Sequence, residues 1–109
     1  TQIGYDANSG EIFLNRGTSS STLAIVELLG VQKVFIGKVK EVPLRILVDR
    51  SSVEVFGPNG EHVISDLVFP DSPKSDGLSL FSTEKSAQLV CEYFLYVWVI
   101  LPPLIIVTL

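Results

Sequence analysis

Apolar residues recur at every second position in short segments of this chain. In residues 11–15, 44–48 and 53–56 this spacing places alternate apolar side chains on one face, as in a β-strand with one buried side. Strands are also predicted over the segments 3–6, 34–36, 61–67, 78–82 and 87–93. The apolar run at residues 23–29 is too short for its period to separate a buried strand from a short helix, and both alternatives stay open.

Turn-forming residues separate these segments. Asn8, Ser9 and Gly10 predict a hairpin turn after the first strand, and Asn59-Gly60 is the strongest hairpin signal in the chain. Residues 49–52 predict a tight turn that sets the register of the strands on either side, and residues 71–77 predict a loop. Short strands without intervening helices predict an all-β antiparallel fold, either a sandwich or a barrel.

Composition narrows the class of protein. The 109 residues suffice for one domain, and 47% of them are hydrophobic. The formal net charge of −4 argues against nucleic acid as a partner, because phosphate binding needs clustered Lys and Arg. The chain has no Met and begins with Thr1, so we expect a processed chain, an excised domain or a fragment.

Residues 93–109 differ from the rest because they carry no charge. Pro102 and Pro103 would break a membrane-spanning helix near its middle. Three interpretations stay open: an over-long final strand with an apolar extension, a partial membrane anchor, or a non-native reading frame. We therefore divide the chain into a domain at residues 1–92 and an atypical apolar tail at residues 93–109. We expect this tail to cause self-association and its end beyond Pro103 to find no core to join.

The side chains that could carry chemistry form no recognisable motif. The candidates for acid–base catalysis are the carboxylates Asp49, Glu54, Glu61, Asp66 and Asp71, and we expect none of them to be catalytic. His62 has neither a serine nucleophile motif nor a cysteine ligand pair beside it, so we expect an exposed hairpin residue. Cys91 lies among apolar neighbours and is expected to be a buried, inert thiol. No metal or cofactor site is predicted.

Aromatic side chains leave one binding function open, because such rings can stack on sugars. The candidates are Tyr5, Phe56, Phe69, Phe81, Tyr93, Tyr96 and Trp98. Two of these, Phe56 and Phe81, lie in apolar strands, and we expect them in the core instead.

Several segments together resemble the C-terminal module of glycoside hydrolase family 32, the family of invertases, inulinases and levanases. The most specific segment is residues 44–61, with the sequence LRILVDRSSVEVFGPNGE. Further matching segments occur in the expected order at residues 3–6, 10–16, 66–70, 77–81 and 86–90. The resemblance therefore covers most of residues 3–92.

This resemblance implies a concanavalin-like antiparallel β-sandwich, incomplete at its N-terminal side, whose partner is an N-terminal five-bladed propeller that carries the catalysis. The family's catalytic segments Asn-Asp-Pro-Asn, Arg-Asp-Pro and Glu-Cys do not occur in this sequence, where Cys91-Glu92 has the reverse order. We therefore expect no catalytic residue here.

The function implied is that of a non-catalytic module supporting a propeller that hydrolyses sucrose or fructans. The alternatives are a module that binds fructan weakly and a gene fragment without independent function. A secreted, cell-wall or vacuolar location follows from the resemblance alone.

Overall fold

The computed structural model describes residues 1–17, 30–49, 51–68 and 79–83, and residues 106–108 as backbone alone. Within these ranges the chain forms strands and one 3₁₀ turn, Pro58–Gly60. The strands are β1 (Gln2–Asp6), β2 (Glu11–Asn15), β3 (Val31–Phe35), β4 (Arg45–Val48), β5 (Ser52–Phe56), β6 (Val63–Leu67), β7 (Ser79–Phe81) and β8 (Ile106–Thr108).

These strands pair antiparallel in two sheets. One sheet has five strands in the order β3-β2-β1-β8-β7, and the other has three in the order β4-β5-β6. Both contribute to one hydrophobic cluster, as the inner faces of a sandwich do. The prediction of an all-β antiparallel sandwich is therefore confirmed.

The core is a thin layer of aliphatic side chains that alternate along the strands. The five-stranded sheet contributes Ile3, Tyr5, Ile12 and Leu14, each no more than 1% exposed. The facing residues come from the three-stranded sheet and from the segment that crosses to it, and they are Val42, Leu44, Ile46, Val53, Val55 and Ile64. The predicted inward faces of residues 11–15, 44–48 and 53–56 are thus confirmed.

The β1–β2 hairpin turns where the sequence predicts it. The Gly10 amide donates to the Asp6 carbonyl at 2.8 Å, and the Asn8 amide donates to the Asp6 carboxylate at 2.8 Å. Gly10 has a φ of +72°, and a Cβ added there would lie 2.9 Å from the Gly37 carbonyl carbon. Both the backbone angle and the close approach of the β3 exit therefore require glycine at this position.

The connections between β4, β5 and β6 are also as predicted. The Asp49 amide donates to the Ser52 carbonyl at 2.9 Å, which closes the turn between β4 and β5. Asn59 and Gly60 have φ angles of +57° and +70°, the positive pair that a type I′ turn needs. The Asn-Gly signal thus identified the β5–β6 hairpin.

Several expectations about burial are wrong. Phe56 is half-buried on the outer face of the three-stranded sheet, because it lies in phase with Ser52 and Glu54 rather than with the core valines. Phe81 is 36% exposed. In both cases the apolar character of the segment was a poor guide, since side-chain direction in a strand is set by phase.

Beyond Pro103, the backbone of Ile106–Thr108 joins the five-stranded sheet, while the expectation that this end finds no core to join stays a prediction. These residues form β8, which pairs with β1 on one side and with β7 on the other. The unused hydrogen-bonding edge of β1 explains this placement. The predicted elements at residues 23–29, 71–77 and 87–93, and most of the tail, lie outside the described residues, and the boundary at residue 93 stays a prediction.

Substitution of a core valine tests the register of β5. We expect Val53→Asp and Val55→Asp each to unfold the domain, because both side chains are 0% exposed and an unpaired buried charge costs more than the whole stability of a small domain, about 5–15 kcal/mol. Glu54→Gln, on the other face of the same strand, should change the free energy of unfolding by less than about 0.5 kcal/mol. Circular dichroism during thermal unfolding distinguishes these results. Wild-type-like melting of both aspartate variants would refute the assignment.

Candidate functional site

The most distinctive polar group of the described residues is an arginine–aspartate pair between the two sheets. Arg16 directly follows β2 and is in phase with Ile12 and Leu14, so its side chain enters the sandwich. Asp66 lies in β6, in phase with the buried Ile64. Arg16 Nη1 is 2.7 Å from Asp66 Oδ1, and both side chains are only 10% exposed.

Further hydrogen bonds surround this pair. Arg16 Nη1 also donates to the Leu67 carbonyl at 2.8 Å. The Asp66 carboxylate accepts from Gln32 Nε2 at 2.5 Å and from the Leu67 amide at 2.8 Å. Arg16 and Gln32 come from the five-stranded side and Asp66 from the other sheet, so the group ties the two sheets together. We call Arg16, Gln32 and Asp66 the inter-sheet cluster.

The energetics of the inter-sheet cluster are those of a partly satisfied buried ion pair. Arg16 Nε is buried and has no hydrogen-bond partner among the described residues. Bringing both charges out of water is costly, and their attraction returns that cost only when the remaining polar groups are satisfied. The Leu67 backbone and the Gln32 amide make most of the further hydrogen bonds to the two charged groups. Loss of one partner would therefore cost far more than the net contribution of the pair.

A second polar link lies at the other end of β1. The Tyr5 hydroxyl donates to the Gly37 carbonyl at 3.0 Å and accepts from the Val39 amide at 3.2 Å. Tyr5 is 1% exposed, so its ring fills the core while its oxygen holds the segment that leaves β3. In the neighbouring turn, the Asn8 amide holds the pKa of the Asp6 carboxyl below its ordinary value.

A shallow groove of about 310 Å³ opens beside the β5–β6 hairpin. Its lining consists of Pro43, Leu44, Arg45, Phe56, Gly57, Asn59 and Gly60. The groove is open to solvent, and it combines one aromatic ring with an amide and a guanidinium group.

The structure does not bring the predicted acidic candidates together. Asp49 and Glu61 are exposed in separate turns, Glu54 lies on the outer face of β5, and Asp66 belongs to the inter-sheet cluster. Asp71 lies outside the described residues. No group of three or more potential metal ligands occurs within the described ranges.

His62 and Tyr5 lie among the described residues, and neither is exposed. His62 is half-buried, so the expectation of an exposed residue is wrong. The Gly57 amide donates to the His62 carbonyl at 2.8 Å, which holds His62 against the end of β5. Tyr5 lies in the core. Cys91 and the aromatic candidates Phe69, Tyr93, Tyr96 and Trp98 lie outside the described residues.

Sequence interpretation missed the role of Arg16 and Gln32. The signal was present, since Arg16 continues the inward-facing series of Ile12 and Leu14 at a spacing of two. Asp66 similarly continues the series from Ile64. Because the Arg16 cation and the Asp66 anion each continue the inward-facing side of their strand, an ion pair between the two sheets could have been predicted.

The described residues contain no helix of the length and apolarity that a bilayer crossing requires.

Comparison with known proteins gives a consistent result. A family model described as "Glycosyl hydrolases family 32 C terminal" matches residues 1–95. A levanase of Bacillus subtilis (strain 168) is 39% identical over 94 residues, which cover 82% of this chain and 13% of the levanase. A levanase of Bacillus sp. (strain L7) is 38% identical over 92 residues, 83% of this chain and 10% of that protein.

An extracellular exo-inulinase of Aspergillus awamori is 40% identical over 77 residues, 66% of this chain and 14% of the inulinase. The chain thus spans between a tenth and a seventh of the length of these relatives. No solved structure matches the chain.

A double-mutant cycle measures the inter-sheet pair. We expect Arg16→Met and Asp66→Leu each to lower the free energy of unfolding by about 3–5 kcal/mol, because each leaves the other charge buried and unpaired. The double variant should recover much of this loss, since it removes both charges. Urea unfolding monitored by circular dichroism gives all three values.

The matched control is the exposed pair between Lys33 Nζ and Glu11 Oε2, which are 3.3 Å apart. Because Lys33 is 52% exposed, Lys33→Met should cost less than about 1 kcal/mol. The inter-sheet pair would not stabilise the fold if Arg16→Met and Asp66→Leu lowered the free energy of unfolding additively and by no more than the control.

Tyr5→Phe isolates the second link. The ring stays in the core, but the Gly37 carbonyl and the Val39 amide lose their partner. We expect a loss of about 1–3 kcal/mol in the free energy of unfolding. Thermal melting compared with that of Phe13→Leu, on the outer face of β2, separates loss of the hydroxyl from a general effect of aromatic substitution. An unchanged melting temperature would contradict the assigned hydrogen bonds.

Proposed function

We propose that this chain, which belongs to the family of C-terminal domains of glycosyl hydrolases family 32, is a non-catalytic module. In this role it supports the catalytic region of such an enzyme. The single observation that carries the proposal is the family match over residues 1–95, in a chain that corresponds to only 13% and 10% of two levanases. The implied partner is an N-terminal five-bladed propeller that hydrolyses fructans or sucrose.

The positions of the acidic side chains support a role without chemistry. Glycoside hydrolysis uses two carboxylates that flank the scissile bond, about 5–10 Å apart. Among the described carboxylates, Asp66 is engaged by Arg16 and Glu11 by Lys33, and Asp6 accepts from its own turn. Each of these contacts stabilises the module itself.

Support of a neighbouring domain has a simple physical basis. Contacts that form only when both domains are folded stabilise each of them, as any ligand of the native state does. The requirement on the module is a rigid surface, and the inter-sheet cluster and the Tyr5 link provide rigidity at the two ends of β1.

The purified chain should have no glycosidase activity. Asp6, Glu11 and Asp66 are engaged in contacts within the module, and we expect the catalytic region to be supplied by the rest of the parent enzyme. Fructose release from sucrose, inulin and levan is the measurement, with a levanase as the positive control. Turnover above the buffer background that tracks the purified chain through chromatography would overturn the proposal.

A chimeric enzyme tests the supporting role directly. In this chimera, the present chain replaces the matching segment of the Bacillus subtilis levanase. We expect the half-life of levan hydrolysis at raised temperature to be at least about tenfold longer than that of the levanase truncated before this segment, a change worth about 1.4 kcal/mol in the barrier to unfolding. At 25 °C the kcat of the two forms should agree. Equal half-lives would refute the supporting role.

A second candidate function is fructan binding, and the groove beside the β5–β6 hairpin favours it. Phe56 could stack on a sugar ring there, with Asn59 as a hydrogen-bonding neighbour. Titration of the chain with fructo-oligosaccharides, monitored by calorimetry, tests this function. Saturable binding tighter than about 1 mM, lost in Phe56→Ala and kept in His62→Ala, would favour it over the supporting role.

A further inference from the structure

We infer that the gap between β1 and β7 in the five-stranded sheet is a strand-binding site for a short, extended and uncharged peptide segment. In this chain the site is filled by β8, which lies beyond the family match that ends at residue 95. β8 pairs antiparallel with a neighbouring strand on each side. This site is separate from the supporting role proposed above and does not depend on it.

The register places the same β8 residues opposite both neighbours. Val107 is paired with Ile3 of β1 on one side and with Leu80 of β7 on the other. Because neighbouring strands lie about 4.8 Å apart, β1 and β7 are separated by about 10 Å, a distance that no direct backbone hydrogen bond spans. The gap therefore has the width of a single strand.

Both walls of the site lie at the hydrophobic core. Ile3 is 0% exposed, and Leu80 is partly buried against the same cluster of core residues. Among the described strands, β7 pairs with β8 alone. Unpaired backbone amides and carbonyls beside a buried layer cost free energy, so the facing edges of β1 and β7 favour an occupant that pairs with them.

The absence of charge defines the class of segment that the site accepts. The residues of β1 and β7 that pair with β8 are all uncharged, and they are Gln2, Ile3, Ser79, Leu80 and Phe81. Residues 104–109, with the sequence LIIVTL, are likewise uncharged and rich in the β-branched types that favour strands. The outer edge of β3 differs, because Lys33 lies at the centre of that strand and a lysine on an edge opposes the addition of another strand.

Complementation by an added peptide tests the site in the full chain. Val107→Pro removes a backbone N–H from β8, whereas Val107→Thr keeps the N–H and a β-branched side chain. We expect the proline variant to melt at least about 8 °C below the unsubstituted chain and the threonine variant within about 3 °C of it. A peptide with the sequence of residues 104–109 and lysines at its ends, added at about 1 mM, should restore at least half of the loss in the proline variant. The same peptide with proline at the position of Val107 should restore none of it.

A disulfide detects β8 in its site without a break in the strand. Gln2 and Thr108 are register partners, so Gln2→Cys with Thr108→Cys should form a disulfide within one chain on oxidation, in a background with Cys91→Ser. Val31 gives the matched control, because it lies two strands from Gln2 on the opposite side, with Asn15 between them. At about 10 Å, cysteines introduced at Gln2 and Val31 are too far apart to be bridged. Mass spectrometry of the oxidised chains measures both pairs.

Each outcome supports or overturns the strand-binding site. Rescue by the first peptide alone, together with the disulfide between Gln2→Cys and Thr108→Cys, supports it. The site is overturned if the proline and threonine variants melt alike, if both peptides or neither restore the melting temperature, or if that cysteine pair stays reduced. Should Val107→Pro not fold, refolding with each peptide replaces the melting measurement, and recovery of β-structure with the first peptide alone is the supporting result. None of these results bears on the supporting role, which the chimera tests.

Discussion

The contact between Arg16 and Asp66 is the constraint on which this small sandwich depends. The two sheets share one layer of buried, mostly aliphatic side chains, and apolar contacts are not directional. A charged hydrogen bond of 2.7 Å between the sheets, with Leu67 and Gln32 as further partners, is satisfied in one relative position only. A buried ion pair adds little net stability over a well-packed apolar pair, but separation of its two partners leaves each charge buried and unpaired. The pair thus fixes the arrangement that the aliphatic core stabilises.

At the other end of β1, Tyr5 and Gly10 restrict the position of the neighbouring chain. The segment that leaves β3 is held by the Tyr5 hydroxyl and lies so close to Gly10 that a methyl group would not fit. From there the chain crosses to β4, carrying Val42 and Leu44 into the core. The segment that leads from the five-stranded sheet into β4 is thereby held in place.

Much of this fold could be predicted from the sequence, because alternation and turn chemistry are local signals. The hairpins at Asn8–Gly10 and Asn59-Gly60, and the inward valines of β5, needed no knowledge of the rest of the chain. Phe56 was misplaced because the apolar character of its neighbours was weighed above its phase with Glu54. The position of β8 between β1 and β7 depends on a pairing about 100 residues apart in sequence, which no local pattern contains. The inter-sheet cluster lies between these cases, since phase places Arg16 and Asp66 inside but only the packed sheets show that they meet.

If a module stabilises a neighbouring domain, a change in the stability of the module also changes the unfolding temperature of that domain. If the inter-sheet cluster holds the two sheets together and the module supports the catalytic region, then a loss of stability inside the module also lowers the stability of the catalytic region. Differential scanning calorimetry of the chimeric enzyme carrying Asp66→Leu tests this coupling most directly. We predict that the substitution lowers the unfolding temperature of the catalytic region together with that of the module. A catalytic region that melts at its original temperature while the module melts early would contradict the coupling, and with it the supporting role assigned to this chain.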